Sequence, residues 1–404
     1  MKTVIKNIIY LASNRLDRRS ADIVNIMEMC NAFSKQGLNI SLIVPDCDLT
    51  EKELFSYYGI GFPFQLIPIK IPKLLKKKII PGLSTVFSLS AISIIKRLEF
   101  DLVYTRTPWI FFLVSALYRK PCFFEAHQFR YEGLLTQFLY RLLIKMGAKK
   151  DTSKIICISK MLMRQWKNYG IKTSSLYVAH DGVNIEKFHN AISKKEARQR
   201  LGLNPNQFIV AYTGSFLPGK GISVLVKAAN RLPDVKFIIV GGESDQIDVL
   251  VKLSTLENII FTGHIEIEKI PYYQAAADIL ALPNTIGSVI DDVTSPIKLF
   301  EYIASQRPIV SSDRPSLLEI LRHMDTALIS PAGDERKLAE NIKLLFQNPI
   351  LGEKLAKNAG RDLTKYSWNA RASYLHQLFM DIPQKNGLRE KLTGIYNVLG
   401  KNDG

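Results

Sequence analysis

The stretch FIVAYTGSFLPGKG, residues 208–221, holds the transition on which the fold turns. Its apolar run Phe208-Ile209-Val210-Ala211-Tyr212 reads as a buried strand, three glycines and Pro218 break it, and residues 222–232 resume at helical spacing. A glycine turn between strand and helix offers backbone N–H groups beside the positive end of a helix dipole, which suits a phosphate. Lys220 stands where it adds a full charge. The match to a P-loop, Gly214-x-x-x-x-Gly219-Lys220, ends at Gly221, which has no hydroxyl to hold Mg²⁺, so an NTPase is disfavoured. A glycine turn with a solvated lysine gives the same local pattern, and the surrounding sequence has to decide.

On either side, strands alternate with helices. Upstream, strands are expected at 6–12, 39–44, 101–105, 122–125, 155–158 and 176–179, with helices at 21–36, 83–98 and 160–169. A polar connector follows near 185–205, and the alternation restarts with strands at 208–212, 236–240, 258–261, 278–282, 308–310 and 327–329. This predicts an α/β protein of two doubly wound, Rossmann-like domains. The division is 1–190, 191–380 and a tail, 381–404, that packs back on the first domain. A chain of 404 residues fits two domains on length as well. The first loop, 14–20, carries Arg15, Arg18 and Arg19 in place of a GxGxxG fingerprint.

Charge is unevenly spread. Residues 1–190 hold 28 basic against 14 acidic side chains, and residues 191–404 hold 26 against 23. No acid occurs between Glu53 and Glu99, where Lys70, Lys73, Lys76, Lys77 and Lys78 interleave with leucines and isoleucines. A basic, apolar surface of this kind suits an anionic membrane face. Nucleic acid is the weaker partner because no nucleic-acid module accompanies the charge, and a solvated lysine loop is the plain alternative. Residues 79–95, the longest uncharged run, are too short and too rich in Pro, Gly and Ser to span a bilayer. Lys6 interrupts the first apolar run, so no signal peptide is expected and the predicted location is cytoplasmic, peripheral to the membrane. Cys30, Cys47, Cys122 and Cys157 show no CxxC spacing, which argues against zinc or a disulfide framework.

A second constellation, Asp291-Asp292-Val293-Thr294-Ser295-Pro296-Ile297-Lys298-Leu299-Phe300-Glu301, follows the strand at 278–282 and opens a helix. Ligands of open α/β sheets bind outside the carboxyl ends of strands, which puts this loop beside the glycine turn. The arrangement resembles glycosyltransferase family 4, retaining enzymes of the GT-B fold with two domains facing across a cleft. Tyr212-Thr213-Gly214-Ser215 with Lys220-Gly221, NIIFTGHI at 258–265, the helix from Pro296 to Glu301, Tyr366-Ser367-Trp368, Phe124-Glu125-Ala126-His127 and His180-Asp181-Gly182-Val183-Asn184 match in order.

The resemblance implies a nucleotide-sugar donor, UDP- or GDP-linked, with no cofactor and no metal. It places Gly214, Ser215, Gly219, Lys220 and Gly221 at the diphosphate, His264 and Ile265 beside the base, Ser295, Pro296, Ile297 and Lys298 at the donor, and Glu301 on the ribose hydroxyls. The first acid of the family's E-x7-E pair falls on Val293, leaving Asp291 or Asp292 to hold the sugar. Ser215 stands where the family commonly has an arginine. His127 is placed against the donor sugar, with Glu125 and Arg130 nearby. Cations and N–H dipoles aimed at the leaving diphosphate lower the barrier directly. The acceptor is expected on the basic first domain as a lipid-linked or membrane-associated glycan. A nucleotide-sugar epimerase of the same fold and a non-catalytic sugar- or lipid-binding protein are the alternatives, because fold does not fix function.

Overall fold

The computed structural model describes residues 5–18, 20–70, 83–118, 120–129, 131, 133–188, 192–286 and 292–382. Lys73, Lys76, Lys77, Lys78, Arg130, Asp291 and the tail from 383 lie outside them. The first sheet has seven strands, β1 (Asn7–Leu11), β2 (Asn39–Pro45), β3 (Gln65–Ile69), β4 (Leu102–Thr105), β5 (Cys122–Ala126), β6 (Ser153–Cys157) and β7 (Leu176–Val178), in the order β3-β2-β1-β4-β5-β6-β7. The second has six, β8 (Ile209–Thr213), β9 (Lys236–Val240), β10 (Ile259–Gly263), β11 (Ile279–Leu282), β12 (Ile309–Ser312) and β13 (Leu328–Ser330), in the order β10-β9-β8-β11-β12-β13. Neighbouring strands pair in parallel throughout.

Helices cover both faces of each sheet, which is why the central strands read as unbroken apolar runs: every residue of β4, β5, β8, β11 and β12 is buried. Strand order reverses between β1 and β4 in one sheet and between β8 and β11 in the other. Each reversal splays two loops apart and opens a crevice at the carboxyl edge.

The chain crosses between domains twice, and the crossings lie side by side. Val183 N–H donates to Tyr366 O at 2.8 Å, and Trp368 N–H donates to Val183 O at 3.3 Å. A Cβ on Gly182 would come within 2.9 Å of Trp368, so the glycine is needed for this approach. Beyond the second crossing, Ser367 caps the helix Trp368–Met380 by accepting from Ala370 N–H at 3.0 Å. That helix belongs to the first domain's core, although the sequence division at 380 assigned it to the second. Trp368, Ala372, Leu375 and Phe379 pack with Tyr10, Phe33, Tyr104 and Phe123, and the Phe123 and Phe379 rings are 4.6 Å apart. Features not read from the sequence include the helix Glu51–Tyr58, the edge strand β3, the helix Leu134–Gly147, and two short helices, Ile185–Phe188 and Lys194–Arg200, where a polar connector was expected.

Candidate active site

The crevice between β8 and β11 is built from glycine backbone and lysine. β8 gives way to Gly214, whose φ is 137° and whose N–H donates to Val240 O of β9 at 2.9 Å. A Cβ on Gly214 would overlap Lys298 Nζ. Lys298 reaches over the turn from the first turn of the helix Ile297–Ala304; it donates to Tyr212 Oη at 2.7 Å and lies 4.0 Å from the ring centroid. Tyr212 O–H in turn donates to Ser215 O at 2.8 Å. Gly221, in the left-handed region at φ 73°, caps the helix Ile222–Ala229, and a Cβ there would overlap the Pro283 carbonyl that follows β11. Thr285 N–H donates to Gly219 O at 2.9 Å and ties the two loops together. Lys220 is half-buried between these glycines.

Glu301 lies one helical turn beyond Lys298, on the same face. Burial pushes its carboxyl up from the ordinary range, while a 3.3 Å bond from Gln274 Nε2 and the charges of Lys187 and Lys298 oppose that. Gln274 also donates to Thr213 Oγ1 at 3.2 Å and accepts from Ser305 Oγ at 2.7 Å. Tyr302 Oη accepts from Thr213 N–H at 2.8 Å, so the end of β8 is fixed by side chains of two helices.

The crevice of the first sheet is chemically different. His127 follows β5, with Nε2 2.5 Å from Glu125 Oε1. Glu125 is buried in the strand and takes Arg371 Nη2 at 3.0 Å, Arg106 Nε at 3.8 Å and the Tyr104 hydroxyl. Burial alone would raise this carboxyl; Arg371, His127 and Arg106 outweigh it and hold it well below the usual range. Burial, with the charge of Arg106, lowers His127 to about 4 despite Glu125. His127 is therefore neutral at pH 7, its Nε2–H donating to Glu125 and its Nδ1 left unprotonated. Asp181, in the first crossing, is raised to about 7 chiefly by burial; it takes Asn25 Nδ2 at 2.6 Å. Glu28 is likewise raised to about 7 by burial, against Lys187 and Asn184.

The loop before Lys298 joins the two crevices. Val293, at the position of the family's first acid, is buried in the first domain's core, and its carbonyl accepts Ser159 Oγ at 2.7 Å. Ser295 Oγ accepts Asp181 N–H at 2.9 Å. Glu319 accepts Lys160 N–H and Met161 N–H at 2.8 and 2.9 Å, capping a first-domain helix from the second domain. Asp292 is ion-paired with Arg314. Pro296 caps the helix that carries Lys298, and Ile297 packs against the first domain's core. Gly214, Ser215, Gly219, Lys220, Gly221, Lys298 and Glu301 thus gather at one crevice. Ile265 packs beside Ile209, Ile238 and Val240, and His264 is exposed past the edge strand. Lys70 is exposed at the end of β3.

Arg106, Arg371, Gln274 and Tyr302 were missed at the sequence level. Asp181 fell inside the crossing motif but was not singled out. Arg371 has no local signal, since 246 residues separate it from Glu125.

Two family models match, Glycosyltransferase Family 4 over residues 24–187 and Glycosyl transferases group 1 over residues 193–362. Phosphatidyl-myo-inositol mannosyltransferase of Mycobacterium leprae is 26% identical over 54% of this chain and 56% of its own. Alpha-galactosylglucosyldiacylglycerol synthase of Streptococcus pneumoniae is 26% identical over 63% and 65%. The chain therefore spans between about half and two thirds of the length of these relatives. In fold it is similar to Anabaena HepE in complex with UDP and glucose, with a TM-score of 0.73 at 18% identity over 93% of this chain and all of that one. With its two parallel sheets, its glycine turn under Lys298, and matches that run through both domains, this chain belongs to glycosyltransferase family 4 and has the GT-B fold.

Proposed function

We propose that the protein transfers a hexose from a UDP- or GDP-sugar, with retention of configuration, to a lipid-linked or membrane-associated glycan in cell-surface glycolipid or polysaccharide synthesis. The observation that carries this is the crevice of Gly214, Gly219, Gly221, Lys220 and Lys298 at the switch point of the second sheet, with Glu301 one turn along. As the anomeric bond breaks, negative charge grows on the diphosphate, and preformed N–H dipoles and lysine charges stabilise it without reorganising. Glu301 accepts the ribose hydroxyls, and neutral His127 presents Nδ1 to the donor sugar from the first domain. The lysines take the neutralising role, so activity is expected to survive chelation with EDTA. Relatives whose names carry phosphatidyl-myo-inositol and a galactosylglucosyldiacylglycerol support the acceptor class. No helix among the described residues is long and apolar enough to cross a membrane, and the proposed location is peripheral, at the cytoplasmic face.

The test is a thermal-shift panel with UDP, GDP, ADP and their sugars, followed by donor turnover with and without acceptor lipid. A cognate nucleotide at 100 times its dissociation constant stabilises the fold by about 2.7 kcal/mol. No shift with any nucleotide overturns the proposal. Interconversion of UDP-sugars without transfer assigns an epimerase instead.

A further inference from the structure

The helix Ile270–Ala276 packs behind the second crevice, and Pro271, Gln274, Ala275 and Ala276 are its buried residues. Among these small or apolar side chains Gln274 is the polar one, and none of its surface is exposed. A buried amide left unpaired is destabilising, so its partners matter. Nε2 donates to Thr213 Oγ1 at 3.2 Å and to Glu301 Oε2 at 3.3 Å, and Oε1 accepts from Ser305 Oγ at 2.7 Å. The carboxylate decides which way round the amide lies, because the reversed amide would set its carbonyl oxygen against Glu301.

These bonds join separate parts of the crevice. Thr213 is the last residue of β8 and precedes the Gly214 turn, while Glu301 lies on the helix that carries Lys298 and Ser305 closes that helix. Gln274 therefore spans from the glycine turn to the acid opposite it. Among the described residues it is the side-chain donor that reaches the Glu301 carboxylate; it occupies Oε2 and leaves Oε1 for a ligand. The charges facing that carboxylate are Lys298, from its own helix, and Lys187, from the helix Ile185–Phe188, with the Tyr302 phenol adjacent. Burial pushes the Glu301 carboxyl up, and the bond from Gln274 opposes this ahead of the two lysines. A hydrogen bond to the charged form favours that form, so the amide acts on charge as well as on orientation.

We infer that Gln274 is a positioning residue for donor recognition: its amide ties Glu301 Oε2 to Thr213 and leaves Oε1 directed at the ribose hydroxyls of the nucleotide. This deepens the proposed function and rests on it, since it takes Glu301 as the ribose acceptor. Gln274 touches no ligand itself. What it adds is specificity, because a site built to hydrogen-bond a hydroxyl rejects the analogue that lacks it only if the acceptor is held and charged.

Titration calorimetry of the full chain with UDP, GDP and their 2′-deoxy counterparts, from about pH 5.5 to pH 8.5, tests this. The quantity read is the ratio of ribo- to deoxynucleotide affinity, in which the titrations of phosphate and lysine cancel. For its cognate base the wild type should favour the ribonucleotide by about 10- to 100-fold, the effect of one hydrogen bond to a charged group. Gln274→Met keeps the shape and removes the amide; it should lower that ratio about tenfold at pH 7 and move its fall on acidification to higher pH. Ser305→Ala frees one end of the amide and should cause a smaller loss of the same sign, which decides the matter if Gln274→Met does not fold. In a Glu301→Gln background, Gln274→Met should change the ratio no further. Both single variants at the wild-type ratio and pH dependence, whatever their melting temperatures, overturn the inference and leave the glycosyltransferase reading standing. A loss of equal size in the Glu301→Gln background overturns it too, since the amide would then act through another group. A wild-type ratio of one, or a ratio that Glu301→Gln leaves intact, removes Glu301 from the ribose and the inference with it. No binding of any nucleotide overturns the proposed function itself, and the inference falls with it.

Discussion

The two crevices occupy equivalent places in two similar sheets and are furnished in opposite ways. Between β8 and β11 the surface is bare backbone: two glycines, Gly214 and Gly221, approach a lysine and the neighbouring chain so closely that a methyl group would collide. At the carboxyl end of β5 the polar groups are side chains, buried and already paired with one another, Glu125 with Arg371, Arg106, His127 and Tyr104. A backbone cradle can be shaped to a ligand with little desolvation of its own. A buried ion network costs several kcal/mol per ion to desolvate and holds only while every member is present. The difference fits the roles proposed for the two domains, the second receiving charge from outside and the first holding charge of its own around His127.

The sharpest way to break this contrast is Arg371→Ala. It leaves Glu125 buried with only Arg106 as a charged partner of fixed sign, and breaking a buried pair typically costs about 3–5 kcal/mol. The denaturation midpoint should fall accordingly, and Glu125→Gln/Arg371→Met should recover much of it. Arg371 also depresses His127 by its positive charge, so in folded Arg371→Met the imidazole should titrate above its starting value of about 4 in NMR. A midpoint within 1 kcal/mol of wild type would show the network to be incidental.

Lys298→Met probes the other crevice. The side chain is half-buried against Tyr212, whose hydroxyl keeps its bond to Ser215 O, so stability should change little. Loss of one preformed charge donor at a developing oxyanion costs about 100- to 1,000-fold in kcat. Lys220→Met is expected to behave alike. Donor turnover within threefold of wild type in both variants would remove the lysines from the mechanism and erase the contrast.

How far the sequence could show this division follows from which interactions are local. The turn at 208–221 was legible because strand, glycines and helix are consecutive, and the same holds for Lys298 and Glu301 on one helix. The order of strands was not, since parallel neighbours such as β1 and β4 are some 90 residues apart. Arg371 was invisible for the same reason. The strand β3 escaped because Pro68 interrupts it, which is tolerated only at a sheet edge, where β3 lies. The helix Leu134–Gly147 escaped because apolar residues occur on its open side as well as its packed side, which blurs the helical period. Val293 is the most instructive residue. Set against the family motif it looked like a lost acid, and in the structure it is an apolar contact that fastens the loop before Lys298 to the first domain.

The smallest effect expected is in the pH dependence of stability, and it tests whether the first crevice is closed to water. Asp181 and Glu28 each have a folded-state value near 7, above their ordinary carboxylate range, with burial as the main cause. Between about pH 4 and pH 7 these two groups therefore bind more protons in the folded protein than in the unfolded chain, and their contribution to stability falls as pH rises, by up to about 1.4 kcal/mol per pH unit for each group. Glu125 acts oppositely: held well below its ordinary range, it contributes stability above about pH 4.5 that is lost only as pH falls further. His127 and His180, both lowered by burial, oppose the two carboxyls below about pH 6.5, so the fall in stability should be read between about pH 6.5 and pH 7.5. Asp181→Asn keeps the place beside Asn25 and Ser295 and removes one titration, so it should lower that slope. A wild-type stability profile in which the Asp181→Asn change makes no difference over that range would mean that water reaches the Asp181 carboxyl, and that the first crevice is as open as the second.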